Sequence, residues 1–519
     1  MVNEFYEFIG KTAIEYKAKS PILIPVKPVE NGSNTGEYIE TFHEQSFNDY
    51  LMYQLFYNYG IRRRMLNDYL ALMYYDKHHK GYKPNSNITR LFRHVVFDLR
   101  YLRIVSLGIP KGVSIDEFCV LKEINKDNYM TNTTEEQTPK FLLQEFPEGS
   151  MIVYNPDLAK HKVEHIVSVE NVDEDEAMND KNLASVQHNI DAATDKSAMF
   201  ATRRVVGTSN YTTSKTFMEM FNENNVLNGI DMDLLPKDSM LNAAFVFNIE
   251  HPENPMINPA MKNRNMLCAY FGFKSEEQCI EEYAKFASTE TPEDIMSAIS
   301  VLGNEMVKQF QLEMFLSICN EAGVKIDTPN YIHEINGLPI REVAISVLQE
   351  HINSMDKHFQ GYMVYSSEGL RSKITNVKYS ELRSLKGNRP IGLEPSNLKN
   401  LFFLYWRLVK QNKINEFLTE FDNKDNHKEP GKSYKELFHW FAMMINNLSF
   451  NLFKTYHNTF VKKLLLKENI PYHLKPLCGD LNKQYWTDKV PVSRTMVENY
   501  ITGLTASKVF WRLFYVPVE

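Results

Sequence analysis

The sequence lacks paired cysteines and long apolar runs. Its 519 residues include five cysteines, an odd number with no C-x-x-C pair. They are scattered along the chain: Cys119, Cys268, Cys279, Cys319 and Cys478. This spacing argues against a disulfide framework and a paired-ligand zinc site, so we expect reduced, buried thiols. Because no apolar run reaches about 18 residues, we expect no membrane span.

A secretory leader and a basic excess are also missing. The N-terminal stretch MVNEFYEFIGKTAIEY has no basic region before an apolar core, so we expect no signal peptide and an intracellular, cytoplasmic protein. The net charge is −7 and the pI about 6.1, so any contact with nucleic acid has to come from a local basic patch. Phosphate-binding, dinucleotide-binding, zincin and esterase motifs are absent from the sequence.

The residues that are present predict an α+β protein. Hydrophobic residues make up 43% of the chain, with 32 Phe and 28 Tyr, a globular composition. The segment from Ser46 to Tyr75 repeats apolar residues at helical spacing, whereas short β-branched and aromatic runs follow Thr89. We predict a helical N-terminal region (1–87), a mixed domain (88–390) with an acidic insertion at about 158–198, and a helical C-terminal domain (391–519).

Five segments of the mixed region occur in an informative order. They read RHVVFD with RIVS, LLQEFPEGSMIVY, FNIEHPENPMI, FQGYMV and SKITNVKYSEL. In that order they resemble the R-G-hydrophobic-F-D, K-x-D-G-S, F-E-F-x-x-P-x-N-R-I-V, E-G-Y-V and K-I-K-x-x-W-Y motifs of the phage-type RNA ligases. These enzymes are lysine-adenylating nucleotidyltransferases, and the resemblance implies an RNA-ligase-like nucleotidyltransferase domain.

The chemistry of that family requires residues that this sequence has replaced. A lysine attacks the α-phosphate of ATP, carboxylates hold a divalent metal, and further lysines neutralise the phosphates. The resemblance places Phe146 at the nucleophile, Asn248 and Gln360 at the carboxylates, and Thr375 at the second lysine of K-I-K. It therefore implies no catalytic residue, no metal site and no cofactor.

Other positions retain basic, acidic or turn residues. The resemblance makes seven of them candidates for binding nucleotide or RNA: Arg93, Glu148, Gly149, Ser150, Arg203, Arg204 and Lys373. Lys140 precedes Phe146 by six residues, which would place it ~20 Å away along an extended strand. Lys428 begins a K-E-P-G match, but it lies in a polar linker of the helical region. Neither lysine is expected to replace the nucleophile.

These features leave several functions open. The first is a catalytically inactive RNA-ligase-like protein that binds RNA or nucleotide, or serves as a structural or virion-associated protein. The abundance of Asn, Lys, Ile, Tyr and Phe suggests a viral source, with other viral proteins as partners and the host cytoplasm or the virion as location. The second is an active RNA ligase that uses ATP and Mg²⁺ with non-standard residues. The third is a structural protein whose pocket is filled by Phe146, and a chance resemblance would leave an α+β protein of unknown role.

Overall fold

A computed structural model describes most of the chain. The residues that it describes are 1–19, 23–25, 42–44, 46–122, 141–156, 158, 200–202, 215–223, 242–252, 263–309, 312–321, 323, 325–366, 370–387, 393, 398–422 and 433–514. Several residues singled out in the sequence lie outside them: Lys140, Arg203, Arg204, Lys428 and the acidic insertion apart from Leu158.

Helices and strands alternate in the first part of the described chain, and helices alone occupy the last part. The helices are α1 (Val2–Lys19), α2 (Phe47–Tyr59), α3 (Asn87–Leu91), α4 (Ile115–Leu121), α5 (Phe217–Glu223), α6 (Glu276–Ser288), α7 (Pro292–Gly303), α8 (Leu312–Glu321), α9 (Ile345–Ser354), α10 (Val377–Lys386), α11 (Leu398–Gln411), α12 (Ile414–Phe421), α13 (Tyr434–Tyr456), α14 (Lys475–Asp488), α15 (Arg494–Gly503) and α16 (Ala506–Phe514). The strands are β1 (Leu23–Pro25), β2 (Phe42–Glu44), β3 (Ile61–Met65), β4 (Leu70–Tyr75), β5 (Val95–Asp98), β6 (Arg103–Leu107), β7 (Leu142–Glu145), β8 (Ser150–Tyr154), β9 (Phe200–Ala201), β10 (Asn242–Glu250), β11 (Arg264–Phe273), β12 (Val307–Gln309), β13 (Tyr331–Ile332), β14 (Glu334–Ile335), β15 (Leu338–Pro339), β16 (Gly361–Tyr365) and β17 (Arg371–Thr375). This mixture confirms the α+β class.

The chain forms two compact units, Met1–Asn376 and Val377–Glu519. The first unit contains three larger sheets, with strand orders β3-β4-β5-β6, β12-β11-β10-β8-β9 and β13-β7-β16-β17. It also contains the whole region 1–87 together with most of the region that resembles RNA ligases. The pairs within these sheets are antiparallel, apart from isolated bridges, so each sheet can be solvated on one face.

The helix expected over Ser46–Tyr75 is wrong beyond Tyr59. Helix α2 begins after Ser46, whose hydroxyl accepts a hydrogen bond from the Asp49 backbone, and ends at Gly60 in the left-handed conformation (φ 66°). Strands β3 and β4 follow. All six residues of β4 are buried, and a strand buried on both faces gives a continuous apolar run that periodicity cannot distinguish from a helix.

The second unit is helical throughout its described residues. Helices α10 to α16 enclose an aromatic core in which Phe402 contacts Trp406, Phe441 and Phe510. The helical C-terminal region expected from the sequence is therefore confirmed. Within the described part of the chain, no helix combines the length and the apolar character needed to cross a membrane.

Candidate functional site

A pocket of about 310 Å³ lies where two sheets of the first unit meet. Strand β7 of the four-stranded sheet and strands β10 and β11 of the five-stranded sheet contribute to its wall. The described residues that line it are Glu145, Phe146, Pro147, Glu148, Glu250, Arg264, Met266, Thr328, Pro329, Asn330, His358, Phe359 and Gln360. The structure thus brings together Phe146, Glu148 and Gln360, which lie up to 214 residues apart in the sequence.

Phe146 is fixed at the end of β7 by backbone hydrogen bonds. Its N–H donates to the carbonyl of Gly361 (2.9 Å), and the N–H of Glu145 donates to the carbonyl of Asn330 (2.8 Å). The Asn330 amide also donates to the Glu145 carboxylate (2.7 Å). The Phe146 ring is partly exposed and lines an open pocket, so it does not fill the cavity as the structural hypothesis required.

The turn after Phe146 requires a glycine. Gly149 has φ +150°, and a Cβ atom there would lie 2.5 Å from the Ile249 carbonyl and 2.6 Å from the Asn248 amide nitrogen. The same Asn248 nitrogen donates to the Glu148 carbonyl at 3.0 Å. Ser150 begins β8, where its Cα pairs with that of Ile249. Asn248 therefore anchors the Glu148 turn to β10, a structural role that uses its N–H donor.

A second glycine lies across the pocket, after Gln360. Gly361 has φ +134°, and a Cβ atom there would overlap the carbonyl of Ile374. The backbone of Gln360 accepts a hydrogen bond from Asn376 (3.0 Å). Gln360 is only 7% exposed, and its buried Oε1 has no hydrogen-bond partner among the described residues. A buried acceptor without a partner is costly.

Carboxylates outnumber guanidinium groups among the described residues of this lining. Glu145, Glu148 and Glu250 lie there with Arg264, whose guanidinium is 3.5 Å from Glu250 and 3.4 Å from Asp327. Burial raises the pKa of Glu250, Arg264 lowers it, and the carboxylates of Glu148, Asp327 and Glu145 raise it further. The pocket consequently disfavours an additional negative charge.

These residues do not fit ATP with a divalent metal. No group of three His, Cys, Asp or Glu side chains suited to a metal ion occurs among the described residues. The two positions where the resemblance requires carboxylates carry amides, and the Asn248 amide is engaged as a donor. No lysine lies among the described residues of the lining, and the three glutamates would repel a triphosphate.

Lys373 lines a different cavity, of about 460 Å³. It is exposed on β17, and Lys111 lies in the same lining together with Glu117. The Lys111 ammonium donates to the Tyr82 hydroxyl at 2.8 Å. Glu117 is paired at 2.6 Å with the buried guanidinium of Arg90. The described lining of this cavity therefore contains two ammonium groups and one carboxylate.

The remaining predicted residues are placed elsewhere. Arg93 is partly buried, close enough to Tyr365 of β16 to lower the pKa that burial raises. Thr375 pairs with Gly361 at the end of β17, and its carbonyl accepts a hydrogen bond from the Gln349 amide at 3.0 Å. Neither residue belongs to the lining of the acidic pocket, and Arg203 and Arg204 lie outside the described residues.

Sequence reasoning missed several residues of both cavities. Glu145, Glu250, Arg264 and Lys111 were not singled out. Glu145 and Glu250 adjoin positions that the resemblance did identify, and Arg264 follows them on the strand that pairs with β10. The residues next to each motif, and those on the strand that pairs with β10, were the available signal for the glutamates around this pocket. Lys111 had only its position in a Pro-Lys-Gly turn as a signal.

Comparison with known proteins does not identify a family. No family model matches the sequence, and no curated protein matches it. The function has to be argued from the two cavities themselves.

Proposed function

We propose that this protein is a catalytically inactive RNA-ligase-like protein that binds RNA or a nucleotide through phosphate. The nucleotidyltransferase fold, the loss of adenylyl transfer and the phosphate contact are parts of this proposal. The observation that carries it is the convergence of three motif segments around one pocket. Phe146 and Glu148 belong to one segment, Gln360 belongs to a second, and Asn248 of a third donates a hydrogen bond to the Glu148 carbonyl. Chance resemblances at such separations have no reason to lie together.

The loss of chemistry rests on what each converging side chain can do. A phenyl ring has no lone pair with which to attack phosphorus, and the amides of Asn248 and Gln360 carry no charge to hold a metal. Glu148 retains an acid, but it stands beside Glu145 and Glu250. Such a site repels the α-phosphate that an adenylyltransferase has to bind.

The phosphate contact rests on the cavity of Lys111 and Lys373. The described residues of its lining include two ammonium groups and one carboxylate, Glu117, which is paired with Arg90. Lysine acts as a point charge toward phosphate. The Tyr82 ring beneath Lys111, 5.5 Å from ammonium to centroid, adds an aromatic surface next to the charge, a combination that single-stranded nucleic acids use.

Adenylylation tests the catalytic part of the proposal. Purified protein is incubated with labelled ATP and Mg²⁺ or Mn²⁺, and the products are separated on a denaturing gel. We expect no labelled band from the wild type and none from Phe146→Lys, because the lysine alone restores neither metal ligands nor phosphate contacts. A labelled wild-type band, with its lysine found by mass spectrometry, would contradict the proposal and support the active ligase.

A further inference from the structure

We infer that residues 461–475, which join α13 to α14 in the second unit, dock onto the surface of an anionic lipid bilayer. This docking segment starts in a π-helical turn, His457–Val461, and ends where α14 begins at Lys475. The inference goes beyond the proposed RNA-ligase-like function and does not depend on it, because both cavities described above belong to the first unit.

Four large apolar or aromatic side chains of the docking segment face solvent. Tyr472 is 77% exposed, Leu464 76%, Leu466 67% and Val461 57%. Isolated apolar side chains are ordinary on protein surfaces, but a local concentration of them marks a site of interaction with another molecule. Removing these side chains from water would be favourable in proportion to the apolar area covered.

The exposure of these side chains is built into the fold, because their neighbours in the segment pack inward. Leu465 contacts the core of the second unit, and Ile470 and Leu474 are buried in it. The N–H groups of Leu464 and Leu465 donate to the Asn458 carbonyl, at 2.7 and 3.2 Å. The leucines on either side of Leu465 are therefore held outward by an anchored backbone.

Exposed lysines alternate with the apolar side chains. The segment has four lysines and one glutamate, namely Lys462, Lys463, Lys467, Lys475 and Glu468. None of the four lysines forms an ion pair with a residue that the structure describes. Because salt screens exposed charges beyond about 8 Å at physiological ionic strength, this local excess outweighs the net charge of −7 in selecting an anionic surface.

This combination fits a lipid surface better than another protein or a nucleic acid. A lysine stem can lie along acyl chains while its ammonium stays among the headgroups, and tyrosine is enriched at the same boundary. The buried centres of protein interfaces are instead depleted in lysine. Single-stranded RNA stacks its bases on aromatic faces, which leucine and valine lack.

The binding that we expect is peripheral and reversible. Leucine side chains on one short segment reach only the boundary between headgroups and acyl chains, and each lysine adds attraction to anionic lipid. A weak anchor of either kind is marginal by itself. Both the leucines and the lysines should consequently be needed for the protein to remain on the membrane.

Flotation of the full chain with lipid vesicles tests this inference. Vesicles of phosphatidylcholine alone are compared with vesicles that also contain phosphatidylserine, and titration with lipid gives the partition coefficient. We expect partition at least about tenfold stronger into the vesicles with phosphatidylserine, because several lysines each contribute attraction. Added salt should weaken that partition.

Two pairs of substitutions separate the basic from the apolar contribution. Lys462→Gln with Lys463→Gln removes two charges and should lower partition into anionic vesicles at least about tenfold. Leu464→Gln with Leu466→Gln keeps the charges, removes apolar surface, and should lower the same partition at least about tenfold. All four side chains are exposed, so the variants should fold, and circular dichroism verifies this.

Lys435→Gln with Met443→Gln is the matched control. Both side chains are exposed on α13, and they lie about 30 and 20 Å along the helix axis from its end at Tyr456. The control removes one charge and one apolar side chain away from the docking segment. It should leave the partition coefficient unchanged.

Tryptophan fluorescence measures insertion directly. Lipids with brominated acyl chains quench a tryptophan that enters the bilayer, so the additional emission of Leu464→Trp should be lost when the protein binds anionic vesicles that contain them. The additional emission of Met443→Trp should persist under the same conditions. Equal quenching in these two variants would contradict insertion of the docking segment.

Three further outcomes overturn the inference: no partition into anionic vesicles at millimolar lipid, equal partition into neutral and anionic vesicles, or equal losses in the leucine pair and the control pair. Loss of RNA binding in the lysine pair, without any partition into vesicles, would also overturn it in favour of a nucleic-acid surface. None of these results bears on adenylylation, so this inference and the proposed function can fail separately.

Discussion

The acidic pocket and the basic cavity both adjoin the sheet β13-β7-β16-β17, yet they carry opposite charge. Glu145 ends β7 and Gln360 precedes β16 at the acidic pocket, whereas Lys373 of β17 lines the basic cavity with Lys111. One sheet therefore contributes to two cavities whose described linings differ in charge. The difference teaches that residues of neighbouring strands in one sheet, Glu145 of β7 and Lys373 of β17, can give the cavities beside them opposite charges.

Gly361 tests whether the sheet is a common support for both cavities, and its replacement should have the largest effect. Gly361→Ala places a Cβ atom on the Ile374 carbonyl at φ +134°, and strain together with overpacking should cost about 3 kcal/mol or more. Urea denaturation measures the loss. Since Gly361 pairs β16 with β17, the strand of Lys373, RNA binding should also be impaired.

Gly479→Ala is the matched control for that substitution. Gly479 lies within α14 of the other unit, and nothing lies within 4 Å of the Cβ position. Alanine should stabilise this helix by about 0.5–1 kcal/mol. If both substitutions changed the free energy of unfolding by similar amounts, the close approach at Gly361 would not be a constraint. The sheet could then not be regarded as a common support for both cavities.

Salt should weaken the binding of RNA at the basic cavity, whereas the acidic pocket should contribute nothing to RNA binding. Lys111→Met with Lys373→Met removes both ammonium groups. For a single strand, each lost phosphate contact should make the fall of log affinity with log salt concentration less steep by about 0.7. The affinity for 5′-phosphorylated single-stranded RNA should fall at least about tenfold at low salt. Fluorescence anisotropy at several salt concentrations measures both quantities.

Glu148→Gln is the control for this comparison, because it changes a charge in the other cavity. It should leave RNA affinity unchanged at every salt concentration. An unaltered salt slope in the double lysine variant would remove the basis for placing phosphate at Lys111 and Lys373.

The sequence predicted the helical end better than the cavities. Gly149 was a binding candidate through the resemblance and Gly361 was not singled out, although both positions have backbone angles and close contacts that favour glycine. The amphipathic pattern indicated the C-terminal helices. Strand β4 was not predicted, because both of its faces are buried and its apolar and polar residues therefore do not alternate.

The composition of each cavity could not be predicted from local pattern. Glu250 and Glu148 approach each other through the pairing of β10 with β8, and Arg264 joins them through the pairing of β10 with β11. These are non-local contacts whose register is set by the packing of whole sheets. The resemblance identified individual positions, but the excess of acids depends on neighbours that it left unassigned.

The protonation of Glu250 should sharpen the electrostatic contrast. Burial raises the pKa of Glu250, Arg264 opposes this, and the carboxylates of Glu148, Asp327 and Glu145 add to it. Folding therefore favours the protonated carboxyl, and the stability that Glu250 contributes should be lost as pH rises through its raised pKa. Carbon-13 NMR of the Glu250 carboxyl group against pH should give a midpoint above that of an exposed glutamate.

Glu250→Gln should remove that part of the pH dependence of stability, measured by urea denaturation between pH 4 and pH 7. A pH dependence of unfolding that persists unchanged in Glu250→Gln would assign the effect to another group and contradict this account. RNA binding at the lysines should show no corresponding pH dependence, because ammonium groups stay protonated over this range.

Replacement of Arg264 should have the smallest effect on stability of these substitutions. Its side chain is 43% exposed and its ion pairs are long, so Arg264→Gln should change the free energy of unfolding by no more than about 0.5 kcal/mol. The same change should raise the pKa of Glu250 further, since Arg264 lowers it. Carbon-13 NMR of the Glu250 carboxyl group, followed against pH in the wild type and in Arg264→Gln, measures this shift. An unchanged midpoint in Arg264→Gln would mean that Arg264 does not stabilise the ionised form of Glu250.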